Sequence, residues 1–129
     1  MNDLPSASSD TRPGTRHRRC LAAIAGKAVD RTPTYMCAIS CEVASKILGR
    51  PAHSGTGSLH YAEVLAWAKG DAAHEDFEAQ FMHDIVAIHR ALDMDVFRMP
   101  WRMNVKPAKQ LDEYSFLIGD PNRDHAVWS

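Results

Sequence analysis

Arg98 lies within the run Asp95-Val96-Phe97-Arg98-Met99, and Trp101 and Arg102 follow closely on it. A guanidinium beside an indole at the end of a strand can hold an anion or a flat ring, and the plainer alternative is a rim in contact with neighbouring loops. His53 and His60 flank a small-residue loop, His53 to Gly57, placed to serve a site or simply a crossing. Met36 and Cys37, near the end of another apolar run, could line the same cavity or pack in a core. Met36, Cys37, Arg98, Trp101, Arg102, His53 and His60 are therefore the candidate substrate-binding residues; no residue declares itself catalytic.

Other chemistry is poorly represented. Cys37 and Cys41 are four apart, but Cys37 falls in an expected strand, so they read as buried structural thiols rather than a metal pair. The seven histidines include no His-Glu-x-x-His, and no Cys-x-x-Cys exists, so no metal site is expected. His83 and His89, six apart, point from different faces of a helix and suit surface or capping roles. Asp120, Asn122 and Asp124 imitate the start of a calcium loop, but His125 stands where glycine is required, which leaves a turn. Phosphate-cradling and nucleophile-elbow motifs are missing.

The elements that must position these residues read as follows. Of the 129 residues, 45% are hydrophobic and 24% charged, as in a globular domain. Residues 1–15 carry turn-formers and little to bury, and read as a disordered lead-in to a domain over 16–129. A helix from Arg16 to Ala25 turns Leu21 and Ile24 inward, with Gly26 as its left-handed stop. Its Arg16-His17-Arg18-Arg19 run reads as a solvated face rather than a phosphate patch. Thr34 to Ile39 reads as a buried strand. Ser40 caps a helix bearing Val43, Ala44, Ile47 and Leu48, ended by Gly49; Ser58 caps another, with Leu59, Ala62, Leu65 and Ala66 in a stripe closed by Gly70. Phe77, Phe81, Ile85, Ile88 and Leu92 define a long amphipathic helix with acidic residues opposite and Asp71 as a cap. Asp95 to Met99 is a second core strand, giving a βαβ order. Tyr114 to Ile118 and His125 to Trp128 form strands around a Gly119-Asp120-Pro121-Asn122 turn.

Net charge is −1 and pI about 6.6, so no global field draws the chain to nucleic acid or anionic lipid. Three cysteines without a disulfide framework suit a reducing compartment, and a cytoplasmic location follows as the default. Cys20 to Ala25 is too short for an export signal, and no run approaches the roughly 20 apolar residues that span a bilayer.

The segment from Arg19 to Pro33, with its Arg-x-Leu opening, Ala-Ile-Ala-Gly helix end and Asp30-Arg31-Thr32-Pro33 turn, resembles the start of uroporphyrinogen decarboxylase-like proteins. Leu92-Asp93-Met94-Asp95-Val96 is similar to that family's long helix running into its second strand. Tyr114 to Pro121 is similar to a Gly-Asp-Pro hairpin common in its methyltransferase-like branch. The resemblance implies an α/β fold, the N-terminal part of a (β/α)8 TIM barrel, incomplete in this chain because such a barrel takes about 250 residues. It implies a site at the C-terminal strand ends, near Cys37 to Ser40 and Arg98 to Arg102.

A porphyrinogen decarboxylase of this family places two arginines after the strand-opening proline, where guanidinium forks meet substrate carboxylates. Here those positions are Ala38 and Glu42, and Met99 stands where the family's pyrrole-binding aspartate belongs. Uroporphyrinogen decarboxylation is thus the less favoured alternative. The methyltransferase-like branch uses zinc on a His-x-Cys pair and a distant cysteine to activate a thiol, with a corrinoid or corrinoid protein as methyl source. Those ligands lie in the later half of the barrel and are absent from this chain, so a truncated or split member, inactive alone, is expected. It would need a complementing polypeptide or self-associate through exposed strand edges. A non-catalytic α/β interaction module is the other alternative.

Overall fold

The structure is a computed structural model and describes residues 15–129. Except for Thr15, the expected lead-in lies outside the described residues. Four helices and one small antiparallel sheet make the described chain a mixed α/β protein. It divides into two compact units, one formed by residues 15–36 with Met94–Arg98, the other by Cys37–Asp93 with Met99–Ser129.

In the first unit α1 spans Thr15–Ile24 and ends as expected at Gly26, whose φ of 67° lets Lys27 N–H donate to Ala22 O at 2.8 Å. Its inward face is not the expected one. Leu21 and Ile24 are exposed, at 52% and 83%, while Arg19 is buried because its guanidinium is drawn into an ionic cluster. Thr34–Ile39 and Asp95–Met99 form no strands. A ladder needs repeated amide–carbonyl pairs. Here Asp95 N–H and Val96 N–H both donate to the single Thr34 carbonyl, at 3.0 and 3.2 Å.

The second unit is built on helices. α2, Cys41–Leu48, is capped by Ser40, whose Oγ accepts from Val43 N–H at 3.3 Å, and Gly49 ends it at φ 67°. Only Ala44 of its apolar row is fully buried; Val43 and Ile47 stay exposed. α3, Thr56–Lys69, starts before Ser58 and has Gly55 as its cap. Gly55 pairs with Ser40 in a parallel bridge so close that a Cβ would stand 3.0 Å from Ile39 O and 3.2 Å from Ala38 Cβ. α4, Asp71–Ala91, has Asp71 as its first residue rather than its cap. Leu59 and Ala66 of α3 pack with Phe77, Phe81 and Ile85 of α4, while Ala44, Ala52 and Ile88 form a smaller cluster.

The sheet runs β1 (Lys109–Gln110), β2 (Phe116–Gly119) and β3 (His125–Trp128) in that order, with Leu117 opposite Lys109 on one side and Val127 on the other. β1 is too short to show in the sequence, and Tyr114 lies in the turn before β2 rather than in the strand. The hairpin connection runs over 120–124, later than expected, because Gly119 pairs with His125 as the last residue of β2; Asp120 Oδ1 accepts from Asn122 N–H at 2.8 Å.

Phe81 is fully buried in the larger cluster, so Phe81→Ala is expected to cost about 3–5 kcal/mol in urea unfolding followed by circular dichroism. Gly119 has φ 95°, and a Cβ there would stand 2.7 Å from Asp124 O. Gly119→Ala should therefore lower the unfolding midpoint, whereas Gly57→Ala, with open space around its Cβ position, should change it far less.

Candidate functional site

The first unit is organised around Asp95, whose side chain is completely shielded from solvent. Arg19 Nη1 donates to Asp95 Oδ1, Arg31 Nη1 lies 2.8 Å from Oδ2, and Thr34 donates to Oδ2 through its backbone N–H (3.0 Å) and hydroxyl (3.2 Å). Arg19 also grips Asp30 with a planar fork, Nε to Oδ1 and Nη2 to Oδ2, both 2.7 Å. That fork holds the Asp30 carboxyl down at about 2 against the opposing effect of desolvation. For Asp95 burial pushes the pKa upward, but the Thr34 N–H, Arg19 and Arg31 outweigh it and keep the group ionised below its ordinary range.

The second unit buries two more carboxylates. Asp84 accepts from His53 N–H and Gln80 Nε2, both at 2.8 Å, and pairs with Arg50 Nη1 at 2.6 Å. Burial opposes its ionisation, and these three donors with the Arg50 charge reverse that effect. Glu63 has Arg102 Nη1 at 3.2 Å, His74 Nε2 at 3.4 Å and the Asn104 N–H at 3.3 Å. Arg102 Nη2 continues to Glu78 at 2.7 Å, and its guanidinium carbon stands 5.0 Å above the Phe81 ring. His74 is buried and stacks on Trp67 with ring centroids 3.5 Å apart.

The residues singled out in the sequence do not meet in one place. Met36 and Arg98 belong to the first unit, while Cys37, His53, His60, Trp101 and Arg102 belong to the second. Cys37 is exposed and Cys41 half-buried at the start of α2, which corrects the expectation of two buried thiols. Cys41 Sγ faces the loop before α3, 3.4 Å from Ser54 N and 3.7 Å from Gly55 O. His60 and Trp101 do come together: the rings meet edge-on at 4.8 Å, and a His60 ring nitrogen lies 3.2 Å from Trp101 O. Trp101 itself is 67% exposed. Arg102 turns inward to Glu63, so it is not available as a free anion clamp. His53 lines an open cleft of about 500 Å³ between α3 and α4 and packs at 4.9 Å on Phe77. Desolvation pushes its pKa down, only partly offset by the Asp84 charge.

Glu63, His74, Asp84 and Asp95 escaped the sequence reading, although two left a signal. Leu59, Glu63 and Ala66 share one helical face, as do Phe77, Phe81, Asp84 and Ile88, so each carboxylate stands in an apolar row where it must be paired. The acidic residues of α4 are accordingly not all on its outer face.

No family model, no curated protein and no solved structure matches the chain.

Arg102→Ala removes the cation beside a carboxylate that stays buried, and should destabilise the second unit by about 3–5 kcal/mol in chemical unfolding. For Asp30, whose folded pKa lies below the ordinary aspartate value of about 3.9, the stabilising contribution is complete above that pH and fades as pH falls towards 2. Carboxyl-detected NMR should show Asp30 titrating near 2 in the native chain. In Arg19→Gln it should return to about 3.9.

Proposed function

We propose that this chain is the N-terminal part of a uroporphyrinogen decarboxylase-like (β/α)8 barrel, on the side of its corrinoid-dependent methyltransferases. One observation carries the reading. The Asp95 cluster draws its members from the segments on which the resemblance rests: the opening helix (Arg19), the Asp-Arg-x-Pro turn (Asp30, Arg31) and the run into the second strand (Asp95). Thr34 O accepts from the consecutive amides of Asp95 and Val96, which joins the starts of these two segments although neither forms a strand.

The branch follows from charge. Glu42, where a decarboxylase carries an arginine for substrate carboxylates, is held ionised by backbone N–H donation and by the Ser40 and Ser58 hydroxyls. A fixed anion at that position repels a polycarboxylate. Zinc and a corrinoid would supply the thiol nucleophile and the methyl group in a complete barrel. The described residues contain no group of three or more His, Cys, Asp or Glu able to hold a metal, so no step of that chemistry is assigned to them.

A second reading, a non-catalytic interaction module, draws on the exposed Leu21 and Ile24 of the first unit, apolar side chains that a partner could cover. A chimera separates the two. Residues 1–129 joined to the remaining strands of a corrinoid-dependent thiol methyltransferase should yield a folded protein that moves a methyl group from methylcobalamin to a thiol. Decarboxylation of a porphyrinogen by the chimera would overturn the branch, and a chimera that stays unfolded beside a folding control joined at the same point would overturn the barrel.

A further inference from the structure

The cleft between α3 and α4 has a floor of small and apolar side chains, Ala62, Leu65, Ala66 and Phe77, and a polar wall. Asp76 and Gln80 are one helical turn apart on α4 and both line the cleft, as does His53 from the loop before α3. The wall is held from behind. Asp84, fully buried, takes the Gln80 amide through Nε2 and the His53 backbone through its N–H, leaving the Gln80 carbonyl oxygen uncommitted. Partial burial favours the uncharged His53 imidazole, one of whose nitrogens is then an acceptor. Among the described residues neither the His53 ring nor the Asp76 carboxylate makes a hydrogen bond or a close ion pair, although the Asp84 charge acts on the His53 ring.

A carboxylate, a carboxamide oxygen and an imidazole nitrogen match the three N–H donors of a primary ammonium group, and an aromatic face such as Phe77 attracts the same charge. We propose that this cleft binds a small primary amine with an apolar body, its ammonium on Asp76, Gln80 and His53 and its body on the floor beside Phe77. Lys69, which also lines the cleft, provides a counter-charge for a carboxylate on the same ligand, as in an apolar α-amino acid. The site is independent of the barrel reading.

The test is an amide NMR titration of the full chain with phenethylamine, L-phenylalanine, 3-phenylpropionate and phenethyltrimethylammonium. Phenethylamine should give saturable shifts at His53, Asp76, Phe77 and Gln80 with a Kd on the order of 1 mM or tighter. L-phenylalanine should bind at least as well, and the trimethylammonium analogue, which lacks N–H donors, at least about tenfold more weakly. Asp76 is exposed, so Asp76→Asn should keep the native spectrum and weaken amine binding about tenfold. The proposal is overturned by an absence of saturable shifts, by equal binding of the trimethylammonium analogue, by binding of 3-phenylpropionate alone, or by an unchanged affinity in Asp76→Asn.

Discussion

A carboxylate taken out of water must be met at close range by charge or by hydrogen bonds, because the uncompensated cost of burying it is several kcal/mol. Asp95, Asp84 and Glu63 each impose that requirement on the described chain. Each is answered by a guanidinium, from Arg19 and Arg31, Arg50, and Arg102 respectively. Each also takes a backbone N–H, from Thr34, His53 and Asn104, in stretches with no regular structure. Irregular chain is thereby fixed to residues distant in sequence without a strand or helix of its own.

This arrangement accompanies modest apolar clusters. α2 contributes one fully buried apolar side chain, Ala44, and α1 none; Arg19 ties α1 to Asp95, and Ser45 Oγ of α2 accepts from Ala52 N–H. Such contacts add little net stability over well-packed hydrocarbon, yet they admit few alternative geometries. His53 illustrates the gain in definition. Its backbone is fixed by a fully buried group while its ring remains at the surface of a cleft.

The helical part of the fold was legible because its signals are local. Ser40 and Gly49 bracket α2 through a cap and a left-handed stop, and the Phe77 to Ile88 row faces the core as its spacing requires. The expected strands at Thr34 and Asp95 failed because strand formation depends on a partner ladder that no local pattern reveals, and here only one carbonyl takes part. Site residues divided in the same way. His60 and Trp101 do meet, whereas Arg102, read as a possible anion clamp, turns to Glu63, a partner far back in the sequence. The placement of Leu21 and Ile24 outward and Arg19 inward was hidden for the same reason, since Asp95 is 76 residues away.

The bond between Thr34 N–H and the Asp95 carboxylate spans 61 positions and closes a loop that contains α2, α3 and α4. Closing so long a loop is entropically costly while the chain between is unstructured, and much less so once helices have shortened it. The Thr34–Asp95 contact is therefore cheaper to close after α2, α3 and α4 have formed than before.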